Sequence, residues 1–234
     1  MSLLSDLKDK VQEIACSAWE RIPDARVIPT PSDLTFGNTA ERLNVTILYA
    51  DIMGSTGMVD SLTDTRAAEY YKAFLHCAAK IIKANDGVIQ AYDGDRVMAV
   101  FVGEKQADNA VRAALQINYA VVQIINPQFG RVYTGTPYTL QHTVGVDSGT
   151  VLVAKTGVRV DSDLVWVGAA ANYAAKLNSF PGSEHAGPTR ITSSVFYALS
   201  QPLLYDRDGK IMWAGPYNDI KHAHFRSRHW IPIY

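Results

Sequence analysis

The sequence predicts an α+β fold, in which a ferredoxin-like β-α-β-β-α-β unit builds an antiparallel-rich sheet with its helices on one face. Two long runs, from Asp64 to Asn85 and from Ala107 to Ile125, repeat apolar residues every three to four positions, as half-buried helices do. Short β-branched runs alternate with them. Between two such runs, Val88 to Tyr92 and Arg96 to Val102, stands Asp93-Gly94, a strong short-range hairpin signal.

Leu4, Leu7, Val11, Ile14, Ala18 and Trp19 form the stripe of an amphipathic helix over residues 4–19. Prolines 23, 29 and 31 mark a linker after it. Val45 to Ala50 is a strand that ends in Asp51-Ile52-Met53-Gly54-Ser55-Thr56-Gly57, a loop by its glycines and hydroxyls. Asp64 is the candidate cap of the first long helix. Its buried stripe is Ala68, Tyr71, Phe74, Leu75, Ala78, Ile81 and Ile82, and Gly87 stops it. Asn126-Pro127 ends the second helix. Thr143 to Asp147 is a strand, turned by Ser148-Gly149 into Val151 to Thr156. Leu164 to Val167 is a further strand, and Ala169 to Asn178 a short helix stopped before Pro181-Gly182. The chain divides into an N-terminal helix and Pro-rich linker (1–31), a catalytic domain (40–200) and a C-terminal β extension (201–234).

With 234 residues, 47% of them hydrophobic, the chain suits one domain with short extensions. A net charge of −1 and the lack of a basic run argue against a nucleic-acid polymer as partner. The mildly basic stretch His222 to His229 reads as a solvated terminal segment. Cys16 and Cys77 have no partner at metal-ligand spacing, which fits a reducing compartment. The first twenty residues are too charged for a signal peptide, and no apolar stretch is long enough for a membrane span. A cytoplasmic protein without membrane contact is expected.

The chemistry centres on two carboxylates. Asp51 closes the first strand and opens the Gly-Ser-Thr loop, whose N–H groups can cradle phosphate. Asp95 follows the hairpin turn. In a β-α-β-β-α-β sheet the first strand lies antiparallel to the third, so the end of one meets the start of the other and Asp51 meets Asp95. Two carboxylates so close repel unless a cation lies between them. The constellation predicts two divalent ions, Mn²⁺ or Mg²⁺, serving a phosphoryl displacement.

The segment Leu48-Tyr49-Ala50-Asp51-Ile52-Met53-Gly54-Ser55-Thr56 resembles the metal-and-phosphate segment of class III nucleotidyl cyclases. Gly94-Asp95 with Arg96-Val97-Met98-Ala99-Val100-Phe101 resembles that family's second metal-aspartate hairpin. Val144 to Gly149 is similar to the strand and turn before its dimerisation arm, and Val167-Gly168 through Asn172 to Lys176-Leu177 to its substrate-positioning helix. The resemblance spans about residues 44–195. It implies that Asp51 and Asp95 bind both metals, completed by the backbone carbonyl of Ile52, and that amides from Met53, Gly54, Ser55 and Thr56 hold phosphates. It further implies that Asn172 orients the ribose, that Lys176 shares its helix face, and that both act in the other protomer's site in a head-to-tail homodimer. The reaction implied is attack of the ribose 3′-hydroxyl on the α-phosphorus with loss of pyrophosphate.

The purine-reading positions depart from the family. Ala91 stands for the adenine-reading Lys, Val165 for the base-reading Asp or Thr, and Lys176 for the transition-state Arg. Two residues are candidates for a replacement reader: Tyr49, on the Asp51 face by alternation, and Arg96. Each has a plainer alternative, Tyr49 as core and Arg96 as an ion-pair partner. A donor-only Arg suits the carbonyl edge of uracil and leaves the amino group of cytosine unpaired. The chain is therefore similar to the bacterial pyrimidine cyclases of Pycsar antiphage systems, which implies UTP as substrate and cyclic UMP acting on a separate effector. The rival readings are a cytidylate or purine cyclase, and a degenerate nucleotide-binding or dimerisation module. His142 is expected in the core.

Overall fold

The computed structural model describes residues 2–135, 138–180 and 187–234. An N-terminal helix, α1 (Leu3–Cys16), precedes a short strand β1 (Asp24–Ala25) and a long one, β2 (Ala40–Ile52). Two helices follow, the short α2 (Ser55–Ser61) and the long α3 (Asp64–Ala84). The hairpin is β3 (Val88–Asp93) and β4 (Arg96–Phe101). Then come α4 (Gln106–Tyr119), a π-helical stretch (Ala120–Ile125) and α5 (Asn126–Val132). The second half holds β5 (His142–Gly157), β6 (Ser162–Val167), α6 (Ala169–Asn178), β7 (Thr189–Thr192), α7 (Ser193–Ala198), α8 (Gln201–Leu204), β8 (Ala214–Tyr217) and β9 (His224–Ser227).

Among the described residues the strands form one sheet in the order β3-β4-β2-β5-β7-β9-β8, with β1 on β2 and β6 on β5. The expected unit is β2-α3-β3-β4-α4-β5. Its pairs β3/β4, β4/β2 and β2/β5 are all antiparallel, and β5/β7 is parallel. Along β2, Leu48, Ala50 and Ile52 face α3 and α4, while Leu43, Val45 and Ile47 face the other way. The two long helices share one face as expected. The later α6 covers the other through Ala170, Ala171 and Ala174.

Several element boundaries differ from the sequence expectation, each for a packing reason. The first strand starts five residues early because β5 pairs with it along its whole length, from Ala40↔Ala154 to Ile52↔His142. The same pairing carries β5 straight through Ser148-Gly149, where a turn was expected. The Ser148 hydroxyl meets that of Thr46 at 2.7 Å instead. Thr63, not Asp64, caps α3, accepting from the Arg66 N–H at 3.3 Å. Its buried stripe begins at Ala67 and Tyr70 rather than Ala68 and Tyr71. The second helix runs past Asn126-Pro127. The π-helical widening before it relieves the ring-carbonyl clash, and Pro127 sits in the first turn of α5, where no N–H is needed. The expected stop at Pro181-Gly182 lies outside the described residues.

The ends differ as well. The stretch read as a solvated tail holds β9, an inner strand whose His224 and Phe225 are buried. Helix α1 ends at Cys16, short of Ala18 and Trp19, and buries none of its residues. Leu3, Leu4, Leu7, Val11 and Ile14 are all exposed. Asn38 fastens its end, donating to the carbonyls of Ile14 (3.0 Å) and Ser17 (2.7 Å).

Candidate active site

Alternation along β2 sends Tyr49 and Asp51 to the face that carries Val45 and Ile47, away from α3 and α4. On β4, Met98 and Val100 share that face, so Arg96 does too. The pair Ala50↔Val97 sets the end of β2 beside the start of β4. The hairpin closes on Asp93↔Arg96, so its two-residue loop is Gly94-Asp95, with Gly94 at φ 60°. Asp95 is thus in the turn rather than after it. Arg96 Nε donates to Asp51 Oδ2 at 3.2 Å. Asp51 Oδ1 and Asp95 Oδ2 are buried and accept no hydrogen bond. Burial first, and the neighbouring Asp95 carboxylate second, push the Asp51 carboxyl up to about 6, against the pull of Arg96.

Ile52 is the last residue of β2, with its side chain buried under α3, so only its backbone faces the loop. Met53 departs from expectation. Its N–H is donated to the Gln141 carbonyl at 2.9 Å, which removes it from the phosphate donors. Gly54 then turns the chain at φ 68°, a conformation that favours glycine, and its carbonyl accepts from Met58 N–H. Ser55 and Thr56 open α2, so their amides have no partner within the helix. Fully buried Met58 pins α2 to the core.

Tyr49 is half-buried, and its hydroxyl donates to Met98 Sδ at 3.2 Å. Its ring therefore lies along the sheet next to Ala91, which pairs with Met98. Val165 sits on β6, half-exposed, opposite Ala154. Asn172 and Lys176 are exposed on the outer side of α6. That helix is clamped by Asn178, which donates to the Thr143 carbonyl at 2.9 Å and its hydroxyl at 3.0 Å. So the structure brings Tyr49, Asp51, Asp95 and Arg96 together, and leaves Asn172 and Lys176 facing away from their own chain. His142 is buried at the start of β5, its pKa lowered to about 4 by desolvation, with its ring 6.2 Å from that of Phe74.

A divalent ion fits the carboxylate pair. Its two orphan oxygens are buried acceptors with no donor to satisfy them, a costly arrangement unless a cation arrives. Among the described residues no group of three or more His, Cys, Asp or Glu is placed to hold a metal, here or elsewhere, so the pair has no third side-chain ligand of these types. Two carboxylates and a backbone carbonyl make a sparse all-oxygen set, suited to a hard ion that takes its remaining ligands from water and phosphate.

The Adenylate and Guanylate cyclase catalytic domain family matches residues 38–222 of the chain. The chain belongs to this cyclase family. The cyclase chain is also 45% identical over 213 residues to a uridylate cyclase of Xanthomonas perforans, covering 91% of this chain and 90% of that one. It is 45% identical over 216 residues to a uridylate cyclase of Burkholderia cepacia, covering 92% and 91%. In fold it resembles the guanylyl cyclase Cya2, with TM-score 0.64 and 20% identity over 80% of this chain and 92% of that one. Relatives of this kind use divalent metals, in keeping with the carboxylate pair. No helix of the described residues is long and apolar enough to cross a membrane.

The roles of two acidic residues, one structural and one beside the site, escaped the linear reading. Buried Asp147 accepts from Thr192 Oγ1, from Ser194 Oγ (3.0 Å) and from Ser148 N–H (2.7 Å), tying β5 to β7 and α7. Two of these partners lie over forty residues away, beyond any local pattern. Asp93 looked like a turn residue only. The register sets it directly across from Arg96, and a two-residue loop at Asp93-Gly94 would have hidden that pairing.

Proposed function

We propose that the protein is a metal-dependent uridylate cyclase, converting UTP to 3′,5′-cyclic UMP and pyrophosphate. The observation that carries this is the half-buried carboxylate pair Asp51–Asp95, with one buried oxygen on each that accepts no hydrogen bond and a donor-only Arg96 on Asp51 Oδ2. The identity to two named uridylate cyclases supports the choice of base.

Asp51, Asp95 and the Ile52 carbonyl would hold two divalent ions, Mn²⁺ or Mg²⁺. When bound, such ions lower the pKa of the 3′-hydroxyl and neutralise charge on the phosphates. The amides of Gly54, Ser55 and Thr56 bind the phosphates. Tyr49 walls the base subsite and Arg96 donates to the uracil carbonyl, where cytosine would present an amino group. Asn172 orients the ribose and Lys176 offsets developing charge, both from the partner protomer of a head-to-tail homodimer. Their exposure on the outer side of α6 supports that assignment. The molecule works in the cytoplasm without membrane or nucleic-acid partners, and its product activates a separate effector in antiphage defence. Residues 1–31 and 201–234 flank the catalytic domain (40–200) as helix-linker and sheet extension.

Incubation with each of the four nucleoside triphosphates and Mn²⁺ tests the reading. UTP should give the cyclic product fastest. Turnover of ATP or GTP without UTP would overturn it, and tight binding without pyrophosphate release would favour a degenerate module. Arg96→Ala should cut UTP selectivity by about tenfold or more, the effect of removing one charged donor. An unchanged substrate ranking makes Arg96 structural.

A pH series gives a second test. The folded pKa of Asp51, about 6, lies above its ordinary 3.8. Its contribution to metal-free stability is therefore full below about pH 4 and is lost as pH rises through 6. An ion bound to the ionised carboxylate competes with that proton. Mn²⁺ should raise Tm clearly at pH 7.5 and progressively less as pH falls through 6. An equal rise at pH 5 and 7.5 counts against Asp51 as a ligand.

A further inference from the structure

Arg96 makes one contact with the carboxylate pair, Nε to Asp51 Oδ2, and its side chain is 34% exposed. One guanidinium charge cannot balance two carboxylates, and two of their oxygens stay without a partner. Arg96 is thus a loosely held cation at the place where the proposed function puts divalent ions, so the inference rests on that reading. Like charges at such range repel strongly when half-buried, and Arg96 sits on the same Asp51 carboxylate that would bind the ions. Metal loading therefore drives Arg96 outward, and a second carboxylate is at hand. Asp93 is its directly opposed cross-strand neighbour at the mouth of the hairpin. Opposed side chains share a face, with Cβ atoms roughly 5 Å apart. Asp93 is exposed, so it can receive a long side chain without rearrangement of the core.

We propose that Arg96 is a two-position arginine: it pairs with Asp51 while the carboxylates are free of metal, and moves to Asp93 when they take up divalent ions. In the second position Asp93 holds the guanidinium toward the base subsite beside Tyr49. Asp93 is then a positioning residue for base selection. Base recognition becomes available only after metal loading, because the same side chain cannot serve both.

The test is Mn²⁺ binding without nucleotide, followed by the EPR signal of the free ion. The variants are Arg96→Met, Arg96→Gln, Asp93→Asn and the double variant Arg96→Met/Asp93→Asn, each checked for native circular dichroism. Removing the competing cation should tighten Mn²⁺ binding about fivefold in both Arg96 variants, the worth of one partly exposed ion pair. Asp93→Asn should weaken it about threefold when Arg96 is present and leave it nearly unchanged when Arg96 is Met, a coupling that a double-mutant cycle isolates. Unchanged or weaker binding in both Arg96 variants overturns the proposal. An Asp93→Asn effect of equal size in both backgrounds reduces Asp93 to a nearby charge and overturns its positioning role. Asp51→Asn separates the two levels. If it retains wild-type Mn²⁺ affinity, the metal reading itself fails, whatever Arg96 does.

Discussion

Asp51→Asn should lower kcat/KM for UTP by about a thousandfold or more while leaving the metal-free protein as stable as the wild type at pH 7.5, or more so. The first half follows from chemistry. A carboxylate shared by the bound ions is lost, and stabilisation of charge in the transition state goes with it, the class of effect that costs most in phosphoryl chemistry. The second half follows from the metal-free site. At pH 7.5 the ionised Asp51 is partly buried, with Oδ1 lacking a donor and the Asp95 carboxylate close by. Asparagine keeps the shape and removes a charge that the fold disfavours. Arg96, released, remains exposed enough to be solvated. Activity assays beside thermal melts check both halves. A variant that is inactive because it unfolds would sink the argument as surely as an active one. Sites held in a costly state for function commonly behave this way.

Gly145→Ala should destabilise the protein by about 3 kcal/mol or more, a fall in Tm of roughly 6–12 °C. A Cβ there would stand 2.2 Å from the Ala174 carbonyl oxygen and 2.4 Å from the Asn178 N–H nitrogen. Both are backbone atoms of α6, so no rotamer change can relieve them. Helix α6 would have to lift from β5, straining the Asn178 clamp on Thr143 and shifting Asn172 and Lys176. Activity should therefore fall beyond the loss of folded protein. Gly149→Ala is the control. Its Cβ would meet only the Ala170 Cβ at 3.6 Å, an ordinary contact. Equal melting temperatures for the two variants would refute the close-approach account.

What could be read locally came through in part. Asp51 near the end of an apolar strand and a hairpin at Asp93-Gly94 sit next to their own signals in the chain, but the expected loop through Gly57 shortens to Met53-Gly54 because Ser55, Thr56 and Gly57 open α2, and the hairpin turn shifts by one residue to Gly94-Asp95. The meeting of Asp51 and Asp95 was also legible, because strand order in the β-α-β-β-α-β unit constrains register. Met53 was misassigned, because its N–H is claimed by Gln141, a residue distant in the chain that lies just before the neighbouring strand β5. The His222–His229 stretch was misread for a related reason. Its polarity suggests solvent, but β7 and β8 flank it and Arg190 meets His224 at 3.1 Å.

The sequence by itself determined the α+β class through periodicity and the carboxylate pair through short motifs, and its motifs resemble those of the cyclase family to which the chain belongs. Only the tertiary structure decided which groups are spent and which are free: Met53 on Gln141, the Tyr49 hydroxyl on Met98, Arg96 on Asp51, and two carboxylate oxygens on nothing. The physical reason is that donors and acceptors are satisfied across strands and between residues distant in the chain, where no local spacing rule reaches.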